Sequence, residues 1–243
     1  MKLKILIGLF IFLSLSSCSR YYYAPALQNV PLIKEEGDFN FIGSIGTSDE
    51  VKMFDFQTAY AITDHIPITF NYMYGKGGDF STQNAGKVNY FELGSGYTFP
   101  FKEGKIRVGA FGGFGLGKQY HVYPDSPTML TARINQYKYY LQPAIGLHFN
   151  AFELILSNEI SYLAFTFNPN NTGTEDGLVK IMDNPRSILI EPGVTVRFGW
   201  KSVKLQAQIV NCYSLSKTDM PFETSKSSIG VILNLGKGFK AIP

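Results

Sequence analysis

Hydrophobic and polar residues alternate with a period of two along most of the chain. In one long stretch Tyr137, Leu141 and Ile145 share one face, whereas Lys138 and Gln142 share the other. Successive side chains of a β-strand point to opposite faces, so this period predicts strands. No stretch shows a comparable helical period. The pattern predicts ten strands, at roughly residues 38–47, 51–62, 66–75, 87–99, 105–118, 133–149, 151–166, 187–199, 201–214 and 226–236.

The connections between the predicted strands are alternately short and long after a first short hairpin. Strands 2–3, 4–5, 6–7 and 8–9 are joined by short turns near residues 63–65, 100–104, 150 and 199–200. The longer connections are rich in Gly, Asn, Asp, Ser, Thr and Pro and span residues 76–86, 119–132, 167–186 and 215–225. Outer-membrane barrels have short periplasmic turns and long outer loops. We therefore expect the short-turn rim, with both ends of the barrel, to face the periplasm.

Alternation alone does not decide which face of the sheet points outward. A soluble lipocalin-like barrel has an apolar interior and a polar surface, whereas a membrane barrel has the reverse. The membrane barrel is favoured by aromatic residues near the ends of the apolar faces, and by glycine and charges of both signs on the polar faces. We predict an all-β protein, a single antiparallel up-and-down transmembrane β-barrel of about ten strands over residues 37–243.

The first 17 residues have the composition of a secretory signal peptide. The apolar run Ile5–Leu13 is too short for a membrane-spanning helix, which needs about 20 residues. The following Leu15-Ser16-Ser17-Cys18 resembles a bacterial lipobox, in which the signal peptidase cuts before the cysteine and acyl chains are attached to it. We predict that residues 1–17 are removed and that Cys18 is lipidated, with an ordinary signal peptide as the alternative.

Residues 18–36 show no clear period and are predicted to form a lipidated periplasmic tether. Ser19, and not an aspartate, follows Cys18, which favours sorting to the outer membrane. We expect the protein in the cell outer membrane, with its lipid anchor on the periplasmic side. The expected partners are outer-membrane lipid and other envelope proteins, which the outer loops or the tether would contact.

Composition agrees with this picture and excludes other classes. Charged residues make up 17% of the 243-residue chain, against about 25% in ordinary soluble domains. The net charge of +3 is too small for a dedicated nucleic-acid-binding protein, and two cysteines do not make a disulfide scaffold. A mean hydropathy of -0.00 is expected if half of each strand faces lipid and half faces a polar lumen.

The polar faces of the predicted strands carry charges of both signs. Buried charge is costly unless it is paired, so we expect these side chains to form ion pairs inside the lumen. The predicted lumen ion-pair residues are Glu92, Arg107, Lys138, Glu153, Glu159, Glu191, Arg197 and Lys204. A barrel of about ten strands is narrow, so the lumen should be closed or nearly so. A narrow channel for small solutes is the alternative.

Few residues suggest catalysis. The run from Gly112 to Lys118 superficially matches a phosphate-binding loop, but Gln119 stands where Ser or Thr is needed, and no helix follows. Of three histidines, only His121 is predicted on the outer side, with Asp125 and Ser126 nearby. A hydrolase site in a flexible loop would lack rigid support. We expect no enzymatic activity, no metal site and no cofactor.

Two stretches, Gln28–Leu32 and Gln57–Ile66, carry a family resemblance, and the second contains the more specific turn Ala-Tyr-Ala-Ile-Thr-Asp-His. They resemble a group of Bacteroidota outer-membrane β-barrel lipoproteins in which a lipobox and an aromatic tether precede an OmpX- or OmpA-like small barrel. The resemblance implies a fold and a cellular address more than an activity. Many such barrels end on an aromatic residue that is read during insertion, for which Phe239 or a strand-end residue such as Leu235 is available here.

Overall fold

A computed structural model describes residues 21–49, 51–79, 84–123, 130–149, 151–169, 171–172, 176–216 and 220–237. The predicted signal peptide, Cys18, Asp125, Ser126 and Phe239 lie outside these residues. Within the described ranges, no helix is long and apolar enough to span a membrane.

The strand prediction is confirmed: the chain forms a closed antiparallel barrel of ten long strands. In chain order the elements are β1 Phe39–Thr47, β2 Val51–Ala61, β3 Pro67–Asp79, β4 Asn84–Phe101, β5 Ile106–Tyr123, β6 Leu130–Phe149, β7 Phe152–Phe167, α1 Asp176–Asp183, β8 Arg186–Gly199, β9 Val203–Asn211, β10 Tyr213–Ser214 and β11 Ser225–Leu235. Strands β1 to β9 pair in sequence, and β11 closes the ring by pairing with both β9 and β1. The two-residue β10 pairs with β8 beside the end of β9.

The strands are unequal in length, which the sequence pattern did not predict. Strands β4 and β5 have 18 residues each and β6 has 20, whereas β1 and β9 have nine. The ladder between β3 and β4 continues to Asp79 and Asn84, and that between β5 and β6 continues to Tyr123 and Leu130. Most of the two predicted long loops at 76–86 and 119–132 is therefore strand. Their loop-like composition reflects strand ends that extend beyond the apolar belt.

Helix α1 also departs from the prediction, because the segment 167–186 was expected to be a loop. Its Leu178 and Ile181 are buried in an apolar cluster at the long-loop end of the barrel. Asp176 and Lys180 form an ion pair at 3.3 Å on the opposite, exposed face. Eight residues give only two inward apolar positions, which is too few to show a helical period in the sequence.

The two faces of the barrel wall have the polarity of a membrane barrel. The outward side chains of Leu141 and Ile229 are 57% and 66% exposed, whereas the inward side chains of Lys138 and Gln142 are 1% and 2% exposed. Exposed aromatic residues gather near the short-turn rim: Tyr60, Tyr97, Phe99, Phe101, Phe149, Phe152, Phe198 and Trp200. An apolar outer belt with an aromatic girdle and a polar interior is the arrangement of outer-membrane-type barrels, and it is the reverse of a lipocalin.

Candidate functional site

The lumen of the barrel is occupied by the chain's own N-terminal segment. Residues 22–33 are buried apart from half-buried Ala24, and Tyr22, Leu27 and Ile33 are at most 2% exposed. We call residues 21–36 the plug. Residues 22–33 therefore lie inside the barrel and do not form the periplasmic tether that was predicted for residues 18–36. The plug's apolar side chains fill space that the ten strands leave open.

The plug crosses the barrel from one rim to the other. At the long-loop rim, the Tyr22 amide donates to Pro221 O at 3.0 Å, and the Tyr22 and Tyr123 hydroxyls are 3.1 Å apart. At the short-turn rim, the Glu36 amide donates to Asp64 Oδ1 at 2.7 Å. The chain thus enters at the long-loop rim and reaches β1 at the short-turn rim.

Side chains of the wall satisfy the plug's backbone. An extended segment without strand partners would bury unpaired carbonyl groups, which is costly. Here four glutamines and one arginine, from five different strands, donate to five carbonyl groups. The bonds are Gln119 to Tyr22 O at 2.7 Å, Gln57 to Leu27 O at 2.9 Å, Gln208 to Gln28 O at 3.0 Å, Gln142 to Asn29 O at 3.4 Å and Arg197 to Val30 O at 3.2 Å.

Three of the predicted lumen residues meet around a fourth, Lys138. Its ammonium lies 3.3 Å from Glu92, 2.5 Å from Glu159 and 3.1 Å from Glu191. It also donates to the Tyr23 hydroxyl at 3.1 Å, and that hydroxyl donates to Glu191 at 2.7 Å. We call these five residues the Lys138 cluster. Through Tyr23, the cluster joins the plug to four strands of the wall, β4, β6, β7 and β8.

Hydroxyl and amide groups complete the Lys138 cluster. One ammonium faces three carboxylates, so the formal charge is unbalanced. The Tyr90 hydroxyl donates to Glu92 at 2.8 Å, and Asn71 donates to the other oxygen of Glu92 at 2.8 Å. Asn29 of the plug in turn donates to Asn71 at 2.9 Å. These neutral donors spread the excess negative charge and tie a second point of the plug to the wall.

A second group forms around Glu153, nearer the short-turn rim. Glu153 pairs with Lys204, with Arg197 at 3.6 Å and with His148 at 2.9 Å. Arg197 also donates to Gln206 at 2.8 Å. We call Glu153, Lys204, Arg197 and His148 the Glu153 cluster. His148, the penultimate residue of β6, was not among the predicted ion-pair residues.

Arg107 belongs to neither cluster. It is half-buried, and its Nη1 has no hydrogen-bond partner among the described residues. Conversely, the sequence analysis missed the pair of Lys226 and Asp55, whose charged atoms are 2.7 Å apart at 0% and 3% side-chain exposure. Both lie on inward faces of strands that are far apart in sequence, so only their alternation pattern hinted at the pair.

The histidines do not form a loop-borne catalytic group. His121 lies in β5 and faces the lumen, where its Nε2 is 3.0 Å from Gln119 Oε1 and its ring is 4.8 Å from that of Tyr22. The expectation of an outer-loop histidine is thus corrected, because β5 extends further than predicted. His65, in the β2–β3 turn, stacks on Tyr97 and contacts Thr98 O at 3.0 Å. Among the described residues, no group of His, Cys, Asp or Glu is arranged to hold a metal ion.

A cavity of about 510 Å³ lies beside the plug at the long-loop end of the lumen. A Cβ atom at Gly86 would lie 2.8 Å from His121 Nδ1, so a larger residue there would have to displace this imidazole. The volume lies in the range of small-molecule sites. Glycine backbone and aromatic rings dominate the wall, which includes Gly75, Gly77, Gly86, Tyr22, Tyr123 and His121.

Comparison with known proteins gives a likeness of fold. No family model matches the chain, and no curated protein matches it. Among solved structures, the translocator domain of the autotransporter NalP from Neisseria meningitidis is 9% identical, with a TM-score of 0.49 over 82% of this chain and 87% of that one. The N-terminal β-barrel domain of Pseudomonas aeruginosa OprF is 10% identical, with a TM-score of 0.38 over 83% and 100%. The KdgM porin is 9% identical, with a TM-score of 0.39 over 81% and 99%. These values add no argument about activity.

Proposed function

We propose that the protein is a lipid-anchored outer-membrane β-barrel that its own plug closes, with a structural or interaction role. The observation that carries the proposal is the buried plug, which spans the lumen and bonds to the wall along its length. The alternative of a narrow channel for small solutes would need a water path through the same space.

Single-channel recording in planar bilayers tests whether the lumen is closed. We expect no steady current from the mature chain, because the plug's backbone and side chains occupy the lumen. The double variant Leu27→Asp/Ile33→Asp places charge on two buried plug residues, and we expect it to show open events. Heat-modifiable gel migration checks that the variant barrel is folded. A steady open current from the unmodified mature chain would overturn the closed-lumen proposal.

The plug also changes where the proposed lipid anchor lies. Only Ser19 and Arg20 lie between Cys18 and Tyr21, so the three residue steps span at most about 11 Å. Because the plug enters at the long-loop rim, we propose that the acyl chains on Cys18 insert into the leaflet at that rim. If the long loops face outward, as in other outer-membrane barrels, the anchor is on the cell surface. This replaces the anchor on the periplasmic side that the sequence analysis expected.

Two experiments test the anchor. Fatty-acid labelling should mark the wild-type chain and not the Cys18→Ala variant; equal labelling of both would exclude lipidation there. An epitope inserted after Ser19 should be accessible to antibody on intact cells. The matched control carries the same epitope in the β8–β9 turn at Ser202 and should react only in broken cells. The opposite pattern would place the anchor in the periplasm.

No catalytic activity is part of this proposal. The histidine that the sequence analysis considered for hydrolysis, His121, packs against the plug inside the barrel. Interaction with other envelope proteins through the long-loop rim is the proposed role, because helix α1 and the extended ends of β4, β5 and β6 build a folded surface there.

A further inference from the structure

The outer wall of the barrel carries charge at one end only. In the described strands the outward-facing charged residues are six, and all are basic and exposed: Lys52, Lys76, Lys87, Lys118, Arg133 and Arg186. We call them the cation row. The buried carboxylates of the same strands point inward, and Asp79 ends β3 on the inward-facing register. All six cations lie toward the long-loop end.

Strand register aligns four members of the cation row across neighbouring strands. Lys52 is directly opposite Lys76, and Lys76 is directly opposite Lys87. Lys87 and Arg133 flank Tyr120 on the next two strands, at 5.5 Å and 5.9 Å from its ring centre. Like charges placed directly opposite each other destabilise a sheet. Anions that lie against such a row would offset this repulsion.

The cation row begins where the apolar belt ends. The next outward-facing residue toward the belt is Phe54 beside Lys52, Tyr74 beside Lys76 and Leu116 beside Lys118. On a transmembrane barrel this depth is the headgroup region of the lipid. The anionic group that membrane lipids present at this depth is phosphate, which lysine and arginine bind through charge-assisted hydrogen bonds.

We propose that the cation row binds the phosphate groups of a phosphorylated glycolipid in the outer leaflet. The choice of leaflet rests on the proposed orientation, with the long loops outside. The choice of phosphate rests on charge and depth alone. Bound lipid would hold the tall side of the barrel, β3 to β6, at a fixed height in the membrane, beside the entrance of the plug.

Binding of purified lipopolysaccharide to the Cys18→Ala chain in phosphatidylcholine nanodiscs tests this, since no lipid anchor then contributes. The triple variant Lys52→Gln/Lys76→Gln/Lys87→Gln should bind on the order of 100-fold more weakly, because each lysine near an anionic surface contributes about fivefold. The matched control Lys102→Gln/Lys105→Gln/Lys201→Gln removes the same charge from exposed turns at the short-turn rim. It should bind within about twofold of the unmodified chain. Heat-modifiable migration verifies folding of each variant.

Three results would overturn the proposal. Equal weakening in both triple variants would mean that only net charge matters. Unchanged binding after enzymatic dephosphorylation of the lipopolysaccharide would show that phosphate is not recognised. Tighter binding of phosphatidylglycerol, added to the same phosphatidylcholine nanodiscs, than of lipopolysaccharide would assign the row to the inner leaflet. None of these readouts depends on the closed lumen or on lipidation, so a failure here is distinct from a failure of the proposed function.

Discussion

The inner and outer walls of the barrel are made by the same strands, yet their charged residues are placed in opposite ways. Adjacent residues show the contrast: Lys138 is 1% exposed and touches three carboxylates, whereas Tyr139 is 64% exposed on the belt. Inside, each cluster of charge is partnered and bonded to the plug. On the outward face of the described strands, charged residues occur only toward the long-loop end of the belt.

The difference shows that the lumen around the plug is packed as a second core. Plug residues Val30 and Leu32 pack with Phe111, Ala144 and Ile155 of the wall, as side chains do in a soluble domain. The outer wall faces lipid, so its side chains do not have to pack closely against other protein side chains. Substitutions should therefore follow the rules of a packed core on one face and of membrane depth on the other.

The largest effect is expected on the inner wall, at the Lys138 cluster. Lys138→Met removes the ammonium and leaves three buried carboxylates without it, so the free energy of unfolding should fall by about 3–5 kcal/mol. Urea unfolding of the chain in lipid vesicles measures this. Lys201→Met, at an exposed turn, is the control and should change the value by less than about 0.5 kcal/mol. Equal losses would mean that the cluster adds no stability of its own.

A charge placed in the middle of the outer belt should have the next largest effect. Leu141→Arg puts a guanidinium at mid-membrane depth, which costs about 2–4 kcal/mol, whereas Thr47→Arg at the long-loop end should cost at most about 1 kcal/mol. The same vesicle unfolding assay compares the two. If both substitutions cost the same, the outer wall does not follow membrane depth.

Whether the plug fits the lumen closely can be tested by substituting two glycines of the wall. A Cβ at inward-facing Gly146 would lie 2.6 Å from Leu32 Cδ2, while one at outward-facing Gly43 would meet nothing within 4 Å. Gly146→Val should destabilise the barrel by about 1–3 kcal/mol through overpacking. It should also speed amide hydrogen exchange in residues 30–33. Gly43→Val should leave exchange there unchanged; faster exchange in both variants would argue against a specific fit.

The smallest effect is expected when one methylene is removed from an isoleucine on each wall. Ile155 is 0% exposed and packs on the plug, whereas Ile145 is 40% exposed on the belt. Ile155→Val should cost about 0.5–1.5 kcal/mol, because it leaves a cavity. Ile145→Val should cost less, since lipid chains can fill the space. A larger loss at Ile145 than at Ile155 would contradict the description of the lumen as a packed core.

The sequence predicted many of the residues of the candidate site, but it did not predict which of them contact one another. Alternation placed Lys138, Glu92 and Glu191 on inward faces, where buried charge must be paired. It did not show that they converge on one ammonium, because this depends on the register of β4, β6, β7 and β8. Arg107 satisfied the same pattern and remained outside both clusters.

The sequence by itself determined the ten strands and the two opposite polarities of their faces. These are local properties: each residue's face follows from its neighbours, and the solvent on each side selects its polarity. Only the tertiary structure decided that residues 22–33 lie inside. An aperiodic segment has no pattern of its own, and its place depends on the free volume of the lumen and on donors from five strands. The same long-range register aligned Lys52, Lys76 and Lys87 into one row, which no single strand could reveal.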